Sequence, residues 1–170
     1  MRREPDILRD IDSHLKDLGV PFATKPLLFG GAAMEYYGLR KRGHDIDFIV
    51  SFEDYEAALR RYPDGKKDLW GDWGVVAGEF ELFRTVWKFD LDYLSVGAAE
   101  LPQYKIISID RLLFMKILAL DNSEKSKTDF ELVLQYIKDT HQRKDVLAFM
   151  NAHVQDYLKA ADGVVYNDRY

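Results

Sequence analysis

Residues 27–50 read LLFGGAAMEYYGLRKRGHDIDFIV, which places a Gly-Gly pair and an Asp-x-Asp pair between short apolar runs. The apolar run at residues 27–29 predicts a buried strand, and Gly30-Gly31 permits a sharp turn into a helix over residues 32–37. Such a turn brings free amide groups and a helix N-terminus to one place, which is how proteins hold phosphate. The segment therefore predicts a phosphate cradle.

The two aspartates of this stretch are predicted to point the same way. In a strand over residues 45–50, side chains two positions apart share a face, so Asp45 and Asp47 project together while the alternate apolar residues face the core. Two adjacent carboxylates repel each other unless a cation lies between them, and oxygen ligands of this kind suit Mg²⁺ or Mn²⁺. We expect a divalent-metal site beside the phosphate cradle.

The order of these motifs resembles the signature of the nucleotidyltransferase (DNA polymerase β-like) superfamily, and within it the small bacterial enzymes of the abortive-infection and toxin type. The resemblance is strong over residues 27–50, moderate over 86–94 and 106–137, and absent elsewhere. Gly31 departs from the pattern, because many members carry serine there. The runs that carry the resemblance are Phe29-Gly30-Gly31-Ala32-Ala33, Gly38-Leu39-Arg40-Lys41 and Gly43-His44-Asp45-Ile46-Asp47.

The resemblance implies an α+β fold, in which a mixed or antiparallel sheet is flanked by helices and followed by a helical extension. It also implies that the protein moves a nucleoside monophosphate from an NTP to an acceptor and releases pyrophosphate. Asp45 and Asp47 would be catalytic metal ligands for two Mg²⁺ (or Mn²⁺) ions. Gly30 and Gly31 would hold the nucleotide, and Arg40 would add positive charge.

A site for two metal ions needs a third anionic group. Residues 86–94 read VWKFDLDYL and are interpreted as one strand, whose polar face carries both Asp90 and Asp92. In the family the third acid is followed by an apolar pair, which implies Asp92 as the third catalytic metal ligand, with Asp90 as the alternative. The alternative is that Asp90 and Asp92 have no catalytic role and lie on the solvated face of an antiparallel sheet.

Lys116 lies on the apolar stripe of a helix predicted over residues 109–120. A charge in that position is costly without a partner, unless the side chain extends to the rim of the core. Its Met-Lys-Ile segment resembles a helix of the family, which implies that the Lys116 ammonium reaches the nucleotide triphosphate. Lys127, near the start of the next helix, is a weaker candidate for the same role.

The remaining sequence predicts strands and helices around this core. Residues 69–94 are rich in aromatic and β-branched residues and are interrupted by glycines, which predicts two or three antiparallel strands. Ser51 and Thr128 each begin a capping-box pattern, with Asp54 and Glu131 as the respective acids. Helices are predicted over residues 7–18, 52–61, 109–120, 128–138 and 143–160.

Composition sets the outer limits. With 170 residues, 47% of them hydrophobic, the chain predicts one domain, with a core over residues 1–104 and a helical extension over 105–170 packed on it. The net charge of −5 disfavours nucleic-acid acceptors without excluding them. The sequence contains no cysteine and no apolar run near the ~20 residues of a membrane span, so we expect a cytoplasmic protein with no membrane partner.

Other enzyme families that contain an Asp-x-Asp motif agree less well with the sequence. In phosphatases of the haloacid-dehalogenase type the apolar strand precedes the acids, whereas here it follows them, and glycosyltransferases need a larger domain. The serious alternative is a non-catalytic protein of the same fold, such as an antitoxin-like or regulatory subunit. The acceptor itself is left open among small molecules, RNA and proteins, and a partner protein or second copy could contribute to its recognition.

Overall fold

The structure is a computed structural model that describes residues 4–140 together with residues 144, 148, 151 and 152, with side chains described from Asp10 onward. Most of the helix predicted over residues 143–160 lies outside the described residues. Within them the fold is α+β, as predicted, with a mixed sheet flanked by helices.

Nine short strands form the β part of the described chain. They are β1 (Leu27–Phe29), β2 (Ile46–Ile49), β3 (Lys66–Leu69), β4 (Asp72–Ala77), β5 (Phe80–Phe83), β6 (Thr85–Val86), β7 (Phe89–Asp90), β8 (Ala99–Glu100) and β9 (Lys105–Ile106). Seven of these form one sheet in the order β3-β4-β5-β2-β1-β9-β8, and β6 and β7 form a separate hairpin. The sheet is mixed, because β1 runs parallel to β9 and β2 runs parallel to β5, while its other neighbours are antiparallel.

Six helices accompany the strands over the described part of the chain. They are α1 (Glu4–Asp17), α2 (Gly30–Tyr37), α3 (Phe52–Arg61), α4 (Leu91–Leu94), α5 (Ile109–Leu118) and α6 (Glu124–Asp139), with a 3₁₀ turn at Pro63–Gly65. The predicted helices at residues 7–18, 52–61 and 109–120 are thereby confirmed within a few residues. None of the described helices is long and apolar enough to cross a membrane.

Serine caps explain where three helices begin. Ser51 Oγ accepts a hydrogen bond from the Asp54 amide (3.1 Å), as predicted, but the Asp54 carboxylate turns away to accept from the Ala23 and Thr24 amides at 2.8 and 3.0 Å. The capping box is therefore only half formed, and Asp54 instead fixes the loop before β1. Ser108 caps α5 in the same way, through the amide of Arg111.

The predicted cap at Thr128 is wrong. Helix α6 begins four residues earlier, where Ser123 Oγ accepts a hydrogen bond from the Ser126 amide at 3.2 Å. Thr128 lies inside the helix, and its hydroxyl donates to the carbonyl of Glu124 at 3.1 Å. The two serines thus supply an earlier cap than the Thr128 pattern predicted.

The central strands are buried on both faces. Leu27 and Leu28 of β1, and Phe48 and Ile49 of β2, each have 0% of their surface exposed. Continuous apolar runs of this kind are typical of strands that helices cover from both sides. Lys105–Ile106 also belongs to this sheet as β9, so the purely helical part of the described chain begins at α5.

Strand register brings three elements together at the start of β2. Phe29, the last residue of β1, lies opposite Asp47 in the antiparallel pair of β1 and β2. On the other side of β2, Asp47 lies opposite Glu81 in the parallel pair of β2 and β5. The Gly-Gly turn, the second aspartate and a glutamate from a distant part of the sequence therefore meet.

The prediction of one strand over residues 86–94 is wrong. The chain reverses at Trp87-Lys88 between β6 and β7, and then enters the short helix α4, so Asp90 and Asp92 do not share the face of a strand. Asp90 instead caps α4, because its carboxylate accepts a hydrogen bond from the Tyr93 amide at 3.0 Å. Trp-Lys is not a pair that signals a turn, which is why the reversal was not visible in the sequence.

Two hairpin loops have unusual backbone conformations. Trp70-Gly71 joins β3 to β4 with φ angles of 51° and 90°, and Trp87-Lys88 joins β6 to β7 with φ angles of 52° and 65°. Positive φ at both positions is the requirement of a type I′ turn, for which Asn and Gly are preferred. Trp70, Trp87 and Lys88 are the non-glycine residues of the described chain with positive φ, so the strain is confined to these two loops.

Asp72 holds the second loop in place. Its buried carboxylate accepts hydrogen bonds from the Trp87 amide (2.8 Å), the Lys88 amide (2.9 Å) and the Thr85 hydroxyl (2.9 Å). These bonds satisfy both amides of the loop and offset part of the conformational strain.

Replacing Lys88 by glycine should stabilise the protein. Glycine adopts positive φ without a steric penalty, so Lys88→Gly should raise the free energy of unfolding by up to about 1 kcal/mol in urea titrations. Lys66, with a φ of −57°, is the matched control, and Lys66→Gly should lower the same free energy. Equal losses in both variants would contradict the assignment of strain to the loop.

Candidate functional site

A cavity of about 300 Å³ opens where β1 passes into α2. We call it the first cavity. Its walls come from the Gly-Gly turn, the start of β2, the loop after α2 and the facing sides of α5 and α6. The residues that bear on its chemistry are Gly30, Gly31, Arg40, Asp47, Lys116, Lys125, Ser126 and Asp129.

Gly30 is the glycine of the turn that its surroundings require, whereas a side chain at Gly31 would make only ordinary contacts. Gly30 has a φ of +65°, and a Cβ built on it would lie 2.5 Å from Oδ2 of Asp47. A Cβ on Gly31 would lie 3.4 Å from Nη1 of Arg40. Helix α2 begins at Gly30 itself, two residues earlier than predicted, and its N-terminus has no side-chain cap. The first cavity therefore lies against the uncapped N-terminus of a helix, where anions are favoured.

The two predicted phosphate-binding cations converge on one carboxylate. Arg40 donates from Nε and Nη2 to the two oxygens of Asp129 at 2.6 and 2.9 Å, and Lys116 Nζ donates to Asp129 Oδ2 at 2.8 Å. Asp129 is only 2% exposed. One buried anion thus connects the loop after α2 with α5 and α6, and it leaves one net positive charge at the wall of the cavity.

This contact explains the lysine on the apolar stripe. The side chain of Lys116 is 15% exposed and pairs with Asp129, so it does not extend to the rim for solvation. Burial alone would raise the pKa of Asp129, but hydrogen bonds from Arg40 and Lys116 outweigh that effect and lower it. Asp129 is therefore ionised and stabilises the positions of both cations.

Lys125 and Lys127 have different positions at the start of α6. Lys125 lines the first cavity, whereas Lys127 pairs with Glu124 at 3.0 Å and is more than half exposed. The Lys127 side chain is outside the first cavity, so Lys125 is the residue that adds charge there.

Three carboxylates, those of Asp45, Asp47 and Glu81, repel one another electrostatically near the start of β2. Asp47 is half-buried, and its pKa is raised to about 6, first by burial and then by the negative charges of Glu81 and Asp45. Lys67 and Lys116 act in the opposite direction without cancelling the effect. The ionised form of Asp47 is thus destabilised by its neighbours, and a cation would relieve that repulsion.

Glu81 is the acidic residue that the sequence interpretation missed. It lies opposite Asp47 on the neighbouring strand, and both of its carboxylate oxygens accept from Lys67 Nζ at 2.9 and 3.1 Å. A signal was present, since Phe80-Glu81-Leu82-Phe83 places one acid inside an otherwise buried strand. That signal was overlooked because only the parallel pairing of β2 with β5 puts Glu81 beside Asp47.

Asp90 and Asp92 lie elsewhere. Both line a separate cavity with Val50 and Ser51, which follow the end of β2, whereas Asp47 stands near its beginning. Neither residue lines the first cavity. The structure therefore brings together Gly30, Gly31, Arg40, Lys116 and Asp47, with Asp45 exposed nearby, and removes the geometric argument for Asp92 as third acid.

A second cavity, also of about 300 Å³, adjoins the first and shares Phe29, Asp47 and Trp87 with it. Most of its lining residues are aromatic or acidic, and both strained tryptophans are among them. The lining residues with ring or acidic side chains are Phe29, Asp47, Trp70, Asp72, Glu81, Phe83 and Trp87. Asp47 thus stands at the junction between a cavity that presents cations and one that presents rings and acids.

Comparison of the sequence with protein-family models and with curated proteins finds no match. Among the residues that the structure describes, no three His, Cys, Asp or Glu side chains are grouped as a ready-made metal site.

Replacing Asp47 by asparagine should stabilise the protein in a pH-dependent way. The folded-state pKa of Asp47 is about 6 against an ordinary value of 3.8, so ionisation weakens the folded state as pH rises through this interval. Asp47→Asn should therefore raise the free energy of unfolding at pH 8 by up to roughly 3 kcal/mol and have a much smaller effect at pH 4. Urea titration at both pH values measures the difference.

The matched control is Asp92→Asn, which removes an acid outside both cavities and should change stability by less than about 0.5 kcal/mol at either pH. A loss of stability in Asp47→Asn at pH 8 would contradict the repulsion described above.

Proposed function

We propose that the protein is a magnesium-dependent nucleotidyltransferase that moves a nucleoside monophosphate from an NTP to a hydroxyl group of an acceptor. The observation that supports this most is the contact of Asp47 with Gly30, in a cavity that Arg40 and Lys116 also line. Groups that could hold phosphate and a carboxylate that could bind a cation are thereby adjacent, as phosphoryl transfer requires.

The triphosphate would occupy the first cavity. The free amides at the start of α2 would donate to phosphate oxygens, and Lys116 and Lys125 would supply charge. Arg40 is held by Asp129 with both of its hydrogen-bonding edges engaged, so its contribution is electrostatic and positional. Gly31 serves here without a hydroxyl, because the backbone and the helix N-terminus provide the donors.

The acidic residues have the chemistry of ligands for a divalent cation. Asp45, Asp47 and Glu81 are oxygen donors. Burial and then the negative charges of Glu81 and Asp45 raise the pKa of Asp47, and a hard cation would offset both effects. When bound, magnesium would neutralise charge on the phosphates during transfer. Asp45 and Asp47 would hold it, with Glu81 in place of Asp92 as the third acid.

The reaction would proceed by in-line displacement. The acceptor oxygen forms a bond to the α-phosphorus, the bond from that phosphorus to the bridging oxygen breaks, and pyrophosphate leaves with the electron pair. The hydroxyl proton would pass to the carboxylate of Glu81, which lines the second cavity and lies opposite Asp47 on the neighbouring strand. The ion pair with Lys67 would position the Glu81 side chain.

The rival function is a nucleotide-binding protein that catalyses nothing. It is favoured by the exposed position of Asp45, because binding of the triphosphate at the first cavity needs neither Asp45 nor Glu81. The two functions differ in their response to Glu81, which only a transferase requires.

Binding of nucleotide should depend on metal. Mg²⁺ should raise the melting temperature by relieving repulsion around Asp47, and ATP or GTP should raise it further only when Mg²⁺ is present. Asp45→Asn combined with Asp47→Asn should abolish the nucleotide-dependent rise in a thermal-shift experiment. A rise of equal size in this double variant would refute the site.

Catalysis should depend on Glu81 and not on Asp92. Glu81→Gln should lower incorporation of labelled NTP into acceptors from cell extract by at least about 100-fold, because charge stabilisation in the transition state is lost. The Mg²⁺-dependent thermal shift with ATP should remain, since the residues around the triphosphate are unchanged. Asp92→Asn should stay within about twofold of the unchanged protein in both measurements.

If no extract is labelled while ATP still binds, the binding protein is the better description. If Asp92→Asn loses labelling and Glu81→Gln keeps it, Glu81 is not the third acid.

A further inference from the structure

We infer that the second cavity is the acceptor site and that it selects small molecules with a flat ring and no negative charge. The assignment of the cavity as an acceptor site rests on the proposed function. The binding of flat rings to the cavity can be tested independently of that function. The two cavities meet at Asp47, so a ligand in the second cavity would approach a nucleotide in the first from the side of Glu81.

The walls of the second cavity favour rings. Phe29, Phe83, Trp70 and Trp87 supply four aromatic side chains to a space of about 300 Å³, which is at the lower end of the range for small-molecule sites. Trp70 is 63% exposed, although burying a tryptophan side chain is strongly favourable. An exposed tryptophan at the edge of a cavity provides apolar surface that a flat ligand can cover.

The same walls disfavour anions. Of the described residues that line the second cavity, Asp47, Asp72 and Glu81 are acidic and none is basic. Lys67 neutralises part of the charge of Glu81, and the Asp72 carboxylate is occupied by its loop. The remaining field is still negative, so a phosphate or carboxylate group would be repelled. Single-stranded RNA and nucleotides are therefore poor acceptors in this cavity.

Backbone strain gives an independent reason to assign a ligand here. Trp70 and Trp87 both occupy positive-φ positions that Asn or Gly would fill at lower conformational cost. Both also line the second cavity, whereas Trp73 has no such strain and stacks with Arg84, at 4.3 Å from the guanidinium carbon to the ring centroid. Strain of this kind concentrates at binding sites, because the side chain there is retained for contact with a ligand despite its conformational cost.

Three probes of nearly equal shape test the inference. Benzamidine, benzamide and benzoate are flat rings with positive, zero and negative charge, and each is titrated into ¹⁵N-labelled protein in EDTA. The chain contains three tryptophans, so three indole N–H signals report on binding. We expect benzamidine and benzamide to shift the signals of Trp70 and Trp87 saturably while that of Trp73 stays fixed. Benzoate should bind at least tenfold more weakly than benzamide.

The variant Trp70→Asn removes a ring without endangering the fold, because Asn-Gly is the preferred sequence for this turn. This variant should bind benzamide and benzamidine with at least fivefold lower affinity. Phe52→Ala is the matched control, since Phe52 is 52% exposed but lies outside the second cavity, and it should leave both affinities unchanged. The inference would be overturned if benzoate bound as tightly as benzamide. It would also be overturned if the affinities of Trp70→Asn for benzamide and benzamidine stayed within twofold of those of the unchanged protein, or if all three indole signals shifted equally.

A thermal-shift experiment with Mg²⁺ and ATP on the same samples separates this inference from the proposed function. Failure of ring binding with an intact nucleotide response overturns only the acceptor site. Ring binding in a protein that shows no nucleotide response supports the cavity as a ring-binding site and overturns the transferase.

Discussion

The contact between Asp47 and Gly30 is the constraint on which the rest of the site depends. It arises from the antiparallel register of β1 and β2, which sets Phe29 opposite Asp47 and leaves the next residue of the chain beneath the carboxylate. A side chain on Gly30 would be strained by the φ of +65° and would displace the Asp47 carboxylate, so the glycine, the start of α2 and the acidic strand form one unit. The parallel pairing of β2 with β5 then adds Glu81 on the other side.

Asp129 provides the second half of this arrangement. A lysine on the apolar stripe of α5 would be destabilising alone, and an arginine in the loop after α2 would be free to move. Their shared buried carboxylate pairs with both cations and ties α5 and α6 to the loop after α2. The positions of the cations around the first cavity are therefore set by an ion pair within the protein, which reduces the reorganisation that an anionic ligand would require.

Sequence reasoning recovered what is local and missed what is long-range. The strand, turn and helix at residues 27–37 follow from apolar patterning and glycine chemistry within a few residues. Asp47 lines both cavities, but Asp45 precedes β2 and is exposed, so the two aspartates do not share the face of a strand as the alternation predicted. Glu81 could not be assigned, because its proximity to Asp47 depends on the pairing of strands that a helix and two further strands separate in sequence. The hairpin at Trp87-Lys88 was hidden for a different reason: its turn is stabilised by Asp72, from another strand, and not by its own residues.

Conformational and electrostatic costs in this protein are concentrated in one region. Away from this region the core is apolar and helices α3, α5 and α6 begin at serine caps, so local preference and tertiary structure agree there. Around the second cavity the same chain carries repelling carboxylates and two tryptophans in strained loops. Because natural sequences are otherwise locally consistent, two unrelated penalties at one place support the proposal of a ligand site there. Under the proposals made above, a cation would relieve the carboxylates and a flat ring would cover the tryptophans, so the two proposed ligands would meet at Asp47.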